Sequence, residues 1–186
     1  AYKYQNVYFS HLGTFRCPSC GLKPHSPKIY ASKIKLKGAS SSEIEIVLPK
    51  NQKISIKLRL PGIYNVYNAL SATSICFNLG INKEIIKRGL ENFSAAFGRV
   101  EEIKIHDKTI VMFLIKNPTG ANAVIRTLSE DKGAKNFIFA LNDNLADGTD
   151  VSWIWDVDFE KLKNNPINFI YTSGIRAEDM ALRLKY

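Results

Sequence analysis

Gly62-Ile63-Tyr64-Asn65-Val66-Tyr67-Asn68-Ala69-Leu70-Ser71-Ala72 marks the point where alternating strands give way to a helix. Pro61-Gly62 punctuates the chain, Asn65 can cap a helix running to about Asn78, and Gly80 stands just past its end. Ala69, Leu70, Ala72, Ile75 and Cys76 recur at helical spacing, so Cys76 is expected as a packed core thiol and not a nucleophile. Asn65 and Asn68 lie one turn apart at the helix start, where amide side chains can read a flat polar ring. An asparagine cap on a plain core helix makes the same pattern. A second helix is expected over Lys83 to Phe93, with Ile85, Ile86 and Leu90 inward.

Upstream, three runs alternate: Lys33 to Lys37, Glu43 to Val47 and Lys53 to Leu60. Period two with one polar face predicts an antiparallel sheet, with the Ser/Gly tract Gly38 to Ser42 as the first turn. Before it, residues 7–27 hold Gly13, Gly21, Pro18, Pro24 and Pro27, which predicts a loop-rich knuckle with little helix or long strand. Downstream of Gly98 the pattern changes. Apolar strands over Thr109 to Ile115, Asn136 to Leu141 and Asn168 to Tyr171 alternate with helices around Ala123 to Leu128 and Arg176 to Leu184. That alternation predicts parallel βαβ units buried on both faces, a Rossmann-like α/β unit with fewer strands than an open sheet usually has. A boundary near Gly98 to Asp107 therefore divides the chain into 1–100 and 101–186.

At 186 residues, 45% hydrophobic and 23% charged, the composition is globular. No run approaches the roughly 20 apolar residues that span a bilayer, and the start lacks the apolar stretch of a secretory signal, so a cytoplasmic protein is expected. The net charge of +9 is uneven. Residues 1–60 hold eleven Lys/Arg against two acids, while residues 61–186 hold fifteen of each. Such a field favours an anionic partner, and a solvated basic face explains it equally well. Cys17, Cys20 and Cys76 are too few for a disulfide framework.

Cys17-Pro18-Ser19-Cys20-Gly21 is half of a zinc ribbon, two thiolates on a tight turn that can grip one tetrahedral ion. His11 and His25 are the other soft donors nearby, and a reduced dithiol is the alternative. A thioredoxin-like pair fits less well, because that motif opens a helix and this one runs into Gly21 and prolines. Residues 136–160 hold six acids, Asp143, Asp147, Asp150, Asp156, Asp158 and Glu160, and no Lys or Arg. Asp143 and Asp147 suit Asx turns, and Asp156 and Asp158 suit a helix N-terminus. Trp153 and Trp155 in the same stretch suit either an interface anchor or core packing.

Three blocks in this order, the asparagine helix, Ala96-Phe97-Gly98-Arg99-Val100-Glu101-Glu102, and Lys116-Asn117-Pro118-Thr119-Gly120, resemble the Mur ligase family of ATP-dependent amide-forming enzymes. The resemblance implies the end of the family's middle, ATP-binding domain over 1–100, with a zinc-ribbon insertion whose second half is 8–27, then its C-terminal Rossmann-like domain over 101–186, incomplete. It implies nucleotide binding by Asn65, Asn68, Arg99 and Asn117, with Arg99 and Lys116 available for the electrostatic work around phosphates. The family's acidic residue and histidine ahead of Asn-Pro are replaced here by Phe113-Leu114-Ile115-Lys116. That departure, with Cys17 and Cys20 and the stretch Leu141 to Asp156, is similar to the family's MurT-type branch, the synthetase subunits of lipid II isoglutaminyl synthase.

That likeness implies ATP- and Mg2+-dependent amidation of the D-glutamate α-carboxylate of lipid II to D-isoglutamine, through an acyl phosphate. It implies ammonia from a GatD-type glutaminase partner, zinc on Cys17 and Cys20, and work at the inner face of the membrane with no nucleic acid. An aspartate of the acidic stretch, Asp150 first and Asp147 or Asp156 after it, is expected to complete the partner's Cys-His pair. The absent initiator Met and the missing first half of the ribbon lead to the expectation of a fragment, inactive alone because its phosphate loop lies upstream. The alternative from another class is a zinc-ribbon nucleic-acid-binding module built on the cysteine pair, the basic first third and Tyr2, Tyr4, Tyr8, Phe9 and Phe15. An ordinary amino-acid-adding Mur ligase leaves the altered Asn-Pro block and the acidic stretch unexplained.

Overall fold

A computed structural model describes residues 2–9, 12–94 and 100–186. Strands β3 (Tyr30–Lys37), β4 (Ser41–Leu48) and β5 (Gln52–Leu58) form one antiparallel sheet in that order. Ile44 stands opposite Ile34 and Ile56, and Ile46 opposite Ala31 and Ile54, so one face is a continuous isoleucine layer. Helices α1 (Ile63–Asn78) and α2 (Lys83–Asn92) cover it, placing Val66, Ala69 and the partly buried Leu90 in one cluster with Ile46, Leu48 and Leu58. The opposite face is wet. Glu45 pairs there with Lys53 at 3.1 Å and accepts from Ser32 at 2.8 Å, and Glu43 pairs with Lys37. Part of the basic excess is thus cross-strand pairing on a solvated sheet face.

Several expectations need correction. Ile75 and Ile85 point outward, at 62% and 52% exposure, because the sheet is narrow and the buried stripe of α1 runs instead through Val66, Ala69 and Thr73. Cys76 is half-buried and free. Residues 7–27 are not all loop. Strands β1 (Lys3–Phe9) and β2 (Leu12–Arg16) make an antiparallel hairpin that runs into the Cys17 turn, with Tyr2 and Tyr4 against Phe15.

The strand expected over Thr109 to Ile115 is β7 (Lys108–Phe113), and it does not join a parallel sheet among the described residues. It pairs antiparallel with β6 (Val100–Ile105) across His106 and Asp107, His106 taking a positive φ of 54°. The parallel pair is β8 (Lys135–Ala140) with β9 (Ile167–Ser173). One face of that pair, Phe137 and Phe139 with Ile167, packs on α3 (Pro118–Ser129), α4 (Ala177–Lys185) and the 3-10 segments Ser152–Asp156 and Phe159–Asn164. The other face carries Ile138 at 71% and Tyr171 at 60% exposure, so the strands are not buried on both sides. A second core forms on the covered side from Ala121, Ile125, Ile154, Val157, Phe159, Leu162 and Met180.

The two cores approach at two glycines. An added Cβ on Gly62 would lie 2.7 Å from Thr127 Oγ1, and one on Gly38 would lie 2.9 Å from Asp131 Cβ. Both glycines have positive φ, 86° and 54°, so they serve a left-handed backbone as well as a close approach.

Candidate functional site

Helix α1 starts at Gly62, not at Asn65. Gly62 is the N-cap, and Asn65 lies within the first turn, 8% exposed. Its Nδ2 donates to Pro61 O at 2.8 Å, and its Oδ1 accepts from Asn68 Nδ2 at 3.3 Å. The two amides therefore have different duties. Asn65 is spent holding the turn and orienting Asn68, while exposed Asn68 keeps its Oδ1 as an acceptor for an exocyclic amine.

Asn117 caps α3, its Oδ1 accepting from Gly120 N at 2.8 Å, with Pro118 at the position that lacks an intrahelical partner. Lys116, just before it, donates from Nζ to Ala146 O at 3.0 Å, which ties the strand exit to the acidic loop. Arg99 lies outside the described residues, as does His11. Contacts join the start of α1 to Thr127, near the C-terminal end of α3, and α3 is about 18 Å long. Asn117 and Lys116 sit at its other end, so the described contacts do not gather them with Asn65 and Asn68.

The acidic loop is fastened at both ends. Asn142 Oδ1 accepts from Ile175 N at 2.9 Å, and Asp143 pairs with Arg176 at 3.3 Å, which secures the loop to the start of α4. Asp143 is thus an ion-pair partner of α4. Asn144 O accepts from the amides of Asp147 and Gly148, a tight turn that leaves Leu145 93% exposed. Asp150 is exposed, and its Oδ1 accepts from Ser152 N at 2.8 Å. Ser152 holds the Asp150 carboxyl below its ordinary range, so it is ionised at neutral pH. Trp153 packs on the core while Trp155 stays half-exposed, ring to ring with Tyr186 at 6.2 Å. Asp158 precedes a 3-10 turn without capping it and pairs with Lys161 instead.

Two supports of this loop went unread in the sequence. Arg183, 5% exposed, donates to Ile154 O at 3.2 Å, Val157 O at 2.7 Å and Glu160 at 2.8 Å. The available signal was an arginine three residues after Met180 on the apolar stripe of α4. Gly174, at φ 92°, lies where an added Cβ would come 2.3 Å from Leu141 O. That carbonyl also accepts from Arg176 N at 3.0 Å. Gly174→Ala is therefore expected to destabilise the fold by about 2 kcal/mol, since a left-handed, sterically closed position must shift. Urea unfolding checks it, and a midpoint equal to the native one would refute the clash.

Cys17 and Cys20 form a knuckle, with Gly21 N donating to Cys17 O at 2.9 Å and Cys17 N to Leu22 O at 2.8 Å. The backbone N–H of Cys20, then the Cys20 thiol and Ser19, pull the Cys17 thiol below its usual range. Two thiols fill two corners of a tetrahedral site. Among the described residues no group of three or more His, Cys, Asp or Glu is gathered to hold a metal ion, so these residues do not complete one. No described helix is long and apolar enough to cross a membrane.

Residues 114–186 match the family model described as MurT ligase C-terminal. The chain is 36% identical over 183 residues to the lipid II isoglutaminyl synthase (glutamine-hydrolyzing) subunit MurT of Staphylococcus aureus (strain COL), covering 98% of this chain and 40% of that protein. The subunit of the same name from Streptococcus pneumoniae (strain ATCC BAA-255 / R6) is 35% identical over the same coverage. The chain thus spans about 40% of the length of these relatives. Among solved structures, a pseudomurein peptide ligase type C from Methanothermus fervidus superposes with a TM-score of 0.73 at 22% identity, over 98% of this chain and 34% of that one. A likeness at that identity concerns the fold, an α/β arrangement of Mur ligase type.

Proposed function

Since the chain belongs to the Mur ligase family, with residues 114–186 of MurT type, we propose that it is part of the ATP-dependent synthetase of a lipid II isoglutaminyl synthase. The observation that carries this is 36% identity over an aligned stretch that covers 98% of the chain and so takes in the asparagine helix, the Lys116-Asn117 turn and the acidic loop. On this reading residues 1–100 end a middle domain and residues 101–186 begin a C-terminal one. The substrate is the D-glutamate α-carboxylate of lipid II, reached at the inner face of the membrane.

A carboxylate is inert to ammonia until it carries a leaving group, and ATP with Mg2+ supplies the phosphoryl group and the charge neutralisation for that step. The chain's own residues hold the nucleotide. Asn68, oriented by Asn65, accepts from the base; Arg99 and Lys116 offer positive charge to the phosphates; Asn117 keeps the start of α3 in place. The ammonia comes from a GatD-type glutaminase, whose Cys-His pair Asp150 completes. Cys17 and Cys20 supply two thiolates to a zinc whose other ligands come from outside the described residues.

The test is amidation itself. The full-length protein, mixed with a glutaminase of this type, lipid II, ATP, Mg2+ and glutamine, is expected to give amidated stem peptide by mass spectrometry. It should make the same product, without the glutaminase, from added ammonia. Addition of an amino acid in place of ammonia would sink the reading in favour of an ordinary Mur ligase. Salt-dependent DNA or RNA binding with no amidation would support the nucleic-acid module.

A further inference from the structure

The middle of the acidic loop, residues 144–150, is exposed, and its internal bonds are short-range turns. Its flanks are fixed through Asn142, Asp143 and Ser152. Among the described residues, what reaches its middle from elsewhere in the fold is the Lys116 ammonium on Ala146 O, across thirty residues of sequence. The donor stands one residue before the cap of α3, where backbone geometry is set by Asn117 and Pro118. A capped helix start and an exposed turn are thereby joined through one long side chain.

We propose that Lys116 is a positioning residue that tethers the Asp150 loop and couples it to nucleotide binding. The coupling rests on the proposed function, which sets phosphates near Lys116; the tether rests on geometry alone. An ammonium has three donors on a single nitrogen, and a phosphate oxygen is a stronger acceptor than a peptide carbonyl. When phosphates draw Lys116 away from Ala146 O, the loop loses its central support. Occupancy of the synthetase site is then reported, through one side chain, to the loop that serves the glutaminase. No bond is made or broken covalently. The energy involved is that of one exposed charge-assisted hydrogen bond, enough to change loop opening severalfold and too little to alter the fold.

Amide hydrogen exchange of residues 144–150 tests this in the full-length protein, with and without ATP and Mg2+, for native, Lys116→Met and Lys116→Arg. Native protein should exchange about three- to tenfold faster with nucleotide bound. Lys116→Met should exchange at that faster rate from the start and show no response to nucleotide, while Lys116→Arg should restore both protection and response. Equal exchange in native and Lys116→Met overturns the tether, and a nucleotide response that survives in Lys116→Met overturns the coupling. Amidation by the native protein is followed alongside. If it proceeds while the loop ignores Lys116, this inference alone falls; if it is absent, the functional reading falls.

Discussion

Arg183→Met is expected to lower the melting temperature by roughly 10 °C, a loss of about 3 kcal/mol. Methionine keeps the apolar stem and its packing near Phe159 and Trp155, whose rings lie 5.4 and 5.6 Å from the guanidinium carbon. What it removes is the set of donors. Ile154 O and Val157 O accept from the guanidinium at a buried position, and both would lose that partner, with desolvation already complete. The Glu160 carboxylate is 53% exposed, so its share is small, and Glu160→Gln should melt close to the native protein. Arg183→Lys should recover little, because one ammonium cannot span two carbonyls and a carboxylate in a planar fork. Calorimetry decides it: a Met variant melting within roughly 2 °C of native would show that the carbonyls find other partners. Loss here should also loosen the Ser152–Asp156 turn, since Arg183 clamps its carbonyl at Ile154 and the next turn's approach at Val157.

Arg183 also shows where sequence reading stops. Period two over β3, β4 and β5 made that sheet legible, because one buried face forces alternation. The slip in register between Ala31 and Lys33 was not legible, since a bulge depends on the partner strand. The helices were readable from apolar spacing and their caps were not: Asn82 Oδ1 accepts from Glu84 N and Asn117 Oδ1 from Gly120 N, while Asn65, expected as a cap, lies inside α1. Which residue faced inward was harder, and Ile75 and Ile85 were misplaced because a narrow sheet covers only part of an apolar helix. The β6–β7 hairpin was missed for a local reason. Its turn uses His106 at positive φ, without the Asn-Gly or Asp-Gly signal, and the apolar run of β7 invites a parallel reading. In the site, Asn65 and Asn68 could be marked from spacing, but the division of labour between them needed the Pro61 carbonyl. Lys116 could be marked as a cation, while its partner, a backbone carbonyl thirty residues away, leaves no trace in side-chain identity.

Asp150→Asn is expected to cost the partner glutaminase about a thousandfold or more in turnover, with the complex still forming. The expectation follows from the proposed trans arrangement, in which a carboxylate orients the histidine and stabilises its charged form; removing that charge from a triad while keeping the shape costs on this order. Asparagine is the right replacement here, because its Oδ1 can still accept from Ser152 N, leaving the turn at 150–152 intact. Only the charge goes. Ser152 also keeps the native carboxyl below its ordinary range, so the group is ionised across neutral pH and its own protonation does not limit the native activity there. Asp147 bonds to Asn144 within its own turn and Asp156 ends a 3-10 segment, so their asparagine variants serve as neighbours of like charge and exposure. If Asp147→Asn or Asp156→Asn silences the glutaminase and Asp150→Asn does not, the residue is misassigned while the shared site survives. If all three variants match native turnover in a complex that forms normally, the loop does not reach the partner's histidine, and its acids serve only to build the turns that Lys116, Arg176 and Arg183 hold.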